Sequence, residues 1–232
     1  MARLAVGGDV HAMSLRGHGA SDGRHRLRVT RIRDYVEDLR RVVEALDRAP
    51  ILVGHSMGGY IVRKFLESTP EVRGAVLLAP VPRHGAARIT WQFLRADPIG
   101  WLNALRTLSL WPLVSTSAKA RAMFLSGSAS DPDAERLHVL LQDESFAAYL
   151  DLLGFDPCRP VPPALPILVL AAEEDALFGR RQIADVARAC GTVAEFFPGM
   201  AHDMMLEAGW ELVADQVAAW IRRVEKGVPD RR

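Results

Sequence analysis

Hydrophobic positions along this chain change their period several times, and each change marks an element. Asp9-Val10-His11-Ala12-Met13-Ser14-Leu15 alternate roughly between apolar and polar, which predicts a half-buried strand, and Arg16 to Gly23 follow as a glycine-rich loop. From Thr30, a good N-cap residue, to Asp47 the apolar residues Ile32, Tyr35, Val36, Leu39, Val42, Val43 and Leu46 fall on one helical stripe, with Arg33, Asp34, Glu37, Asp38, Arg40 and Arg41 opposite. A short apolar run, Ile51-Leu52-Val53, reads as a strand, and Tyr60 to about Ser68 as an amphipathic helix stopped by Thr69-Pro70. Gly74-Ala75-Val76-Leu77-Leu78-Ala79 is apolar without a break, as a strand covered on both faces should be.

The rhythm then changes. No strand signal is visible from 83 to about 156, only short helical patterns, two of them at 132–142 and 144–153. Trp91, Phe93, Leu94, Ile99, Trp101, Leu102, Leu105 and Trp111 gather at the start of this block. Packing against the rest of the chain is their favoured role; lining an acyl channel or touching lipid is the other. A proline-rich connector, Arg159-Pro160-Val161-Pro162-Pro163, closes the block. Beyond it a strand at 167–171, a helix at 180–189, a strand at 193–197 and a helix at 210–224 resume the earlier alternation. Strands alternating with helices predict an α/β fold with a mostly parallel sheet and helices on both faces. The domain reading is a core of 1–82 and 160–232 with a helical insertion at 83–159.

At 232 residues the chain has room for one domain with an insertion. A net charge of +1 gives no electrostatic reason to expect nucleic acid or an anionic membrane as partner. Arginine far outnumbers lysine, which occurs only at Lys64, Lys119 and Lys226; this reads as the codon bias of a GC-rich bacterial genome. Cys158 and Cys190 match no metal or redox spacing and are expected as free buried thiols. Without a secretory h-region or a membrane-length apolar run, a cytoplasmic location is expected.

The chemistry concentrates at Gly54-His55-Ser56-Met57-Gly58-Gly59, between a strand and a helix. G-x-S-x-G in that setting predicts a sharp turn that thrusts the Ser56 hydroxyl clear of the backbone. Gly54 and Gly58 are expected to supply the room, and Gly59 to let the helix lie close to the sheet. A serine needs a base, and the base needs a group to orient it. Of the seven histidines, His202 follows the 193–197 strand, and Asp175 follows the 167–171 strand with Glu173 and Glu174 as competitors. Loops at the carboxyl ends of parallel strands share one rim, so Ser56, Asp175 and His202 are expected together, in the order Ser…Asp…His. His18 and His55 are expected to pack or hydrogen-bond locally. The backbone N–H of Met57, at a helix N-terminus, is the expected oxyanion donor.

Three segments, LRGHGASDG at 15–23, VGHSMGGY at 53–60, and LAAEEDALF with FPGMAHDMM at 170–178 and 197–205, make the chain resemble α/β-hydrolase-fold serine hydrolases, specifically lysophospholipases and monoacylglycerol-lipase-like esterases. The resemblance implies Ser56 as nucleophile, His202 as base, Asp175 as acid, a lid at about 83–160 over an acyl pocket, and neither metal nor organic cofactor. It implies a small-molecule or lipid ester as substrate; relatives with an aspartate nucleophile are disfavoured by Ser56. C–C bond or amide hydrolysis on the same scaffold, and ligand binding without catalysis, are the competing functions. The family's earlier strands and its His-Gly loop, which gives a second oxyanion N–H, have no counterpart ahead of 15–23. Met1 to Gly8 read as the end of a first helix. The favoured explanation is a start placed too far downstream; the other is a real short form, weakened in catalysis.

Overall fold

The computed structural model describes residues 8–83, 85–161 and 165–227. The helix end read at Met1–Gly8 lies outside these residues up to position 7, as does the close of the proline-rich connector. In chain order, a 3-10 turn at Arg24–Val29 leads to α1 (Ile32–Glu44), β1 (Ile51–His55), α2 (Met57–Leu66) and β2 (Gly74–Leu78). The β2–β3 connection carries α3 (Gly85–Ala96), α4 (Pro98–Thr107), α5 (Ser117–Phe124), α6 (Asp131–Leu140) and α7 (Phe146–Leu150). The chain ends with β3 (Ile167–Ala172), α8 (Arg180–Ala189), β4 (Ala194–Phe197) and α9 (Trp210–Glu225).

The four strands form one parallel sheet in the order β1-β2-β3-β4. Period two sorts its side chains between two cores. Ala75, Leu77, Val169 and Ala171 meet Ile32, Tyr35 and Leu39 of α1, the apolar face of α2, and Ile183 and Val186 of α8. Val76, Leu168, Leu170 and Ala172 meet Met200, Met204 and the α9 residues Val213, Val217 and Trp220. A parallel sheet needs both faces covered, and the unbroken apolar runs of β2 and β3 are the sequence form of that need.

Two expectations are corrected. Residues 9–15 form no strand: positions 8–14 are exposed coil, and no neighbouring backbone among the described residues pairs with them. Alternating side chains are only half a strand; the other half is a ladder partner. Among the described residues the outer side of β1 is accordingly the sheet's edge, and Val53 is 46% exposed. The second correction concerns Thr30, which belongs to the preceding turn, its hydroxyl bonding to Arg26 O. Arg31 is the N-cap of α1 instead, and its N–H donates to Asp34 three residues on.

The aromatic cluster divides. Phe93 and Trp101 pack on the main core, and Trp111 stacks on His138 at 5.7 Å. Trp91, Leu94, Ile99, Leu102 and Leu105 face outward from α3 and α4. Packing therefore accounts for only part of it. Both cysteines are free and buried.

Candidate active site

Ser56 lies between β1 and α2 with φ 52° and ψ −118°, a conformation that costs a side-chain-bearing residue about 1–3 kcal/mol. Hydrogen bonds on both sides hold it there: Ser56 N donates to Leu78 O, while Ser56 O accepts from Tyr60 N and Val81 N. Gly54 is indispensable to the bend, since a Cβ there would stand 2.5 Å from Gly58 O. Gly59 is close behind, its virtual Cβ 2.9 Å from Pro80 Cβ, which lets α2 settle against the end of β2. Gly58 differs from the expectation. A Cβ at Gly58 meets nothing within 4 Å, so it is the backbone of Gly58, not a missing side chain, that crowds the turn. Gly54→Ala is expected to destabilise by about 1–3 kcal/mol through overpacking. Gly58→Ala, inside a helix, is expected to be neutral or stabilising by up to about 1 kcal/mol. Thermal melts of the two variants check the contrast.

The three residues picked from the sequence meet. Ser56 Oγ is 2.9 Å from His202 Nε2, and His202 Nδ1 is 2.9 Å from Asp175 Oδ2. Their positions follow from the sheet, because each lies just past the carboxyl end of its strand: Ser56 after β1, Asp175 after β3, His202 after β4. Asp175 is aimed by its own loop, where Oδ1 accepts from Leu177 N at 2.8 Å and Phe178 N at 3.1 Å. The competing acids point elsewhere. Glu173 pairs with Arg180 on the surface, and Glu174 is exposed. Met57 opens α2, so its N–H has no acceptor within the helix and stands beside Ser56.

Three rings, Phe178 buried and Phe124 and His55 half-buried, surround the imidazole. His202 is 1% exposed, with Phe178 at 5.3 Å, Phe124 at 6.0 Å and His55 at 4.8 Å between ring centroids. His55, which the sequence marked only as packing or hydrogen-bonding locally, in fact reaches the His202 loop: its Nε2 lies 3.0 Å from His202 O and 3.6 Å from Asp203 Oδ1. Burial, and then neighbouring His202, push the His55 imidazole down to about 3, so at neutral pH it is an uncharged donor. Burial pushes Asp203 up to about 6. His18, by contrast, bonds Arg16 O and Glu144.

His55 makes the fold acid-sensitive. An imidazole held below its unfolded value of about 6.5 contributes stability above that pH, and loses it as pH falls toward 3. Asp203 acts in the opposite sense between about 4 and 6, but its displacement is smaller. Melting temperature is expected to fall on acidification from pH 7 to 4, and His55→Asn to flatten that fall.

His55, His202 and Asp203 each bring one possible metal-binding atom within 4.8 Å of the others. Both His202 nitrogens are already engaged with Ser56 and Asp175, and His55 Nε2 with a carbonyl, so the grouping is a hydrogen-bonded one. No helix among the described residues is long and apolar enough to cross a membrane.

Residues 1–216 match the sequence model of the alpha/beta hydrolase family. The chain belongs to that family. It is 29% identical over 235 residues to a monoacylglycerol lipase of Mycolicibacterium smegmatis, covering 94% of this chain and 79% of the relative. Among solved structures, this α/β-hydrolase superposes on a thermophilic esterase from Thermogutta terrifontis with a TM-score of 0.67 at 20% identity, covering 90% of this chain and 78% of that one. A putative non-heme bromoperoxidase from Mycobacterium tuberculosis gives 0.70 at 21% identity, with 90% and 80% covered. The monoacylglycerol lipase of Paleococcus ferrophilus gives 0.59 at 20%, again with 90% and 80% covered. At such identities the structural likeness speaks for the fold alone.

Proposed function

We propose that this α/β-hydrolase cleaves carboxylic esters of apolar acyl groups, such as lysophospholipids or monoacylglycerols, through an acyl-enzyme on Ser56. The observation that carries the reading is the unbroken chain of contacts from Ser56 Oγ through His202 to Asp175. His202 Nε2 takes the hydroxyl proton as Ser56 Oγ bonds to the ester carbonyl carbon, and the carbonyl electrons move onto oxygen. Asp175 holds the imidazole in the right tautomer and stabilises the imidazolium. The oxyanion takes a hydrogen bond from Met57 N–H. Collapse of the intermediate returns the His202 proton to the departing alcohol. Water then repeats the sequence on the acyl-enzyme, with His202 again the base.

The substrate class rests on the β2–β3 connection, read as a lid over an acyl pocket. Its exposed Trp91, Ile99 and Leu102 suit a substrate presented from an apolar phase. The bacterial relative is a monoacylglycerol lipase by name, in agreement with this choice.

A fluorophosphonate probe tests the reading, because it forms a stable bond with an activated serine and nothing with an inert one. Stoichiometric labelling at Ser56, with p-nitrophenyl ester turnover rising from acetate toward longer acyl chains, is the expected result. A folded protein that takes no label is a binder rather than an enzyme. Labelling with turnover of amides or of β-diketones but not esters points to the competing hydrolases.

A further inference from the structure

His202 occupies a loop that the strands alone do not hold. Its two chain neighbours are tied, one directly and one through Glu207, to a short piece of the β2–β3 connection at the C-terminal end of α5. Asp203 N donates to Phe124 O at 3.0 Å. Ala201 N donates to Glu207 Oε1 at 3.3 Å, and the same carboxylate accepts from Ser126 N at 2.6 Å and Ser126 Oγ at 2.8 Å. Glu207 is 3% exposed and Ser126 also 3%. Between these ties the Phe124 ring lies against the imidazole.

A buried carboxylate is expensive to keep unless donors surround it, and an apolar residue would pack as well at lower cost. This one uses its acceptors on two segments far apart in sequence, at 126 and 201. From this we propose that Glu207 is a positioning residue for His202: it fastens the Phe124–Ser126 segment to the base loop, so that the two move as one body. The proposal rests on the reading of His202 as the base. It adds that the β2–β3 connection cannot lift away at 124–126 without unseating the imidazole, so any opening for substrate must occur elsewhere.

Glu207→Leu tests it in the full-length chain, since it keeps bulk at the site but leaves Ser126 N and Ala201 N without the Oε1 to which both donate. A misplaced reacting group costs up to about 10²-fold. The phosphonylation rate constant at Ser56 is expected to fall by a large part of that, with the KM for a short soluble ester unchanged. The low-field proton resonance of the His202–Asp175 hydrogen bond is expected to shift or broaden. Ser126→Ala, which removes one donor and leaves the backbone bond, is expected to show a smaller change in the same direction, and it decides the matter if Glu207→Leu fails to fold. Wild-type labelling rates and an unmoved resonance in the folded variants, even with a lowered melting temperature, would make Glu207 a structural residue only and overturn the proposal. A wild-type protein that resists the probe defeats the hydrolase reading instead, while the resonance still reports on Glu207.

Discussion

Ser56→Ala is expected to reduce ester turnover by about 10⁶-fold, the scale seen when a triad nucleophile is removed. The loss is near total because the proposed reaction has no other group to carry the acyl chain. Met57 N–H and the pocket remain, so a residual rate above that of water is expected from transition-state binding alone. The fold should tolerate the change well. Alanine keeps the backbone of the turn, and the three hydrogen bonds that hold residue 56 at φ 52° use only main-chain atoms. Steady-state kinetics and a thermal melt on the same preparation separate the two effects. An Ser56→Ala protein with more than about a hundredth of wild-type turnover would mean that the chemistry occurs elsewhere.

Asp175→Asn is expected to cost about 10⁴-fold in kcat with little change in KM. The amide is nearly the size of the carboxylate, so Leu177 N and Phe178 N can still be satisfied through its carbonyl oxygen. What changes is the face toward His202. An NH₂ group opposite Nδ1 demands an acceptor there, which forces the proton to Nε2 and leaves no lone pair to receive the Ser56 hydroxyl proton. Asp175 is 1% exposed at its side chain, so solvent cannot take over its role. Fluorophosphonate labelling should slow in parallel with turnover. Asp175→Glu, by comparison, retains charge but not reach, and Glu173 and Glu174 face the wrong way to substitute.

Much of this site could be read before any coordinates, for reasons that are local. The elbow announces itself within sixteen residues, because the strand, the crowded turn and the helix are adjacent in the chain. Asp175 and His202 follow from topology, since loops after parallel strands share a rim wherever the strands fall in sequence. The misses share the opposite cause. Asp9 to Leu15 carry a strand's side-chain alternation, but pairing is decided by a neighbour that the alternation does not reveal. Glu207 in Met204-Met205-Leu206-Glu207 reads as one solvated charge beside an apolar run, and only the approach of Ser126, 81 residues earlier, gives it donors. The division of the aromatic cluster is likewise a matter of which face of α3 and α4 the core happens to claim.

One feature of the sheet bears on how the protein meets its surroundings. β1 carries the elbow, yet among the described residues it pairs only with β2, and Val53 stands 46% exposed on it. In water the outer N–H and C=O groups of such a strand are solvated at no penalty. Covered by a dry surface they would each lose a hydrogen bond. Val53 invites apolar cover while the backbone beside it refuses any cover that cannot bond in return. A dry cover over that side would have to return those hydrogen bonds or leave the strand's outer groups unsatisfied.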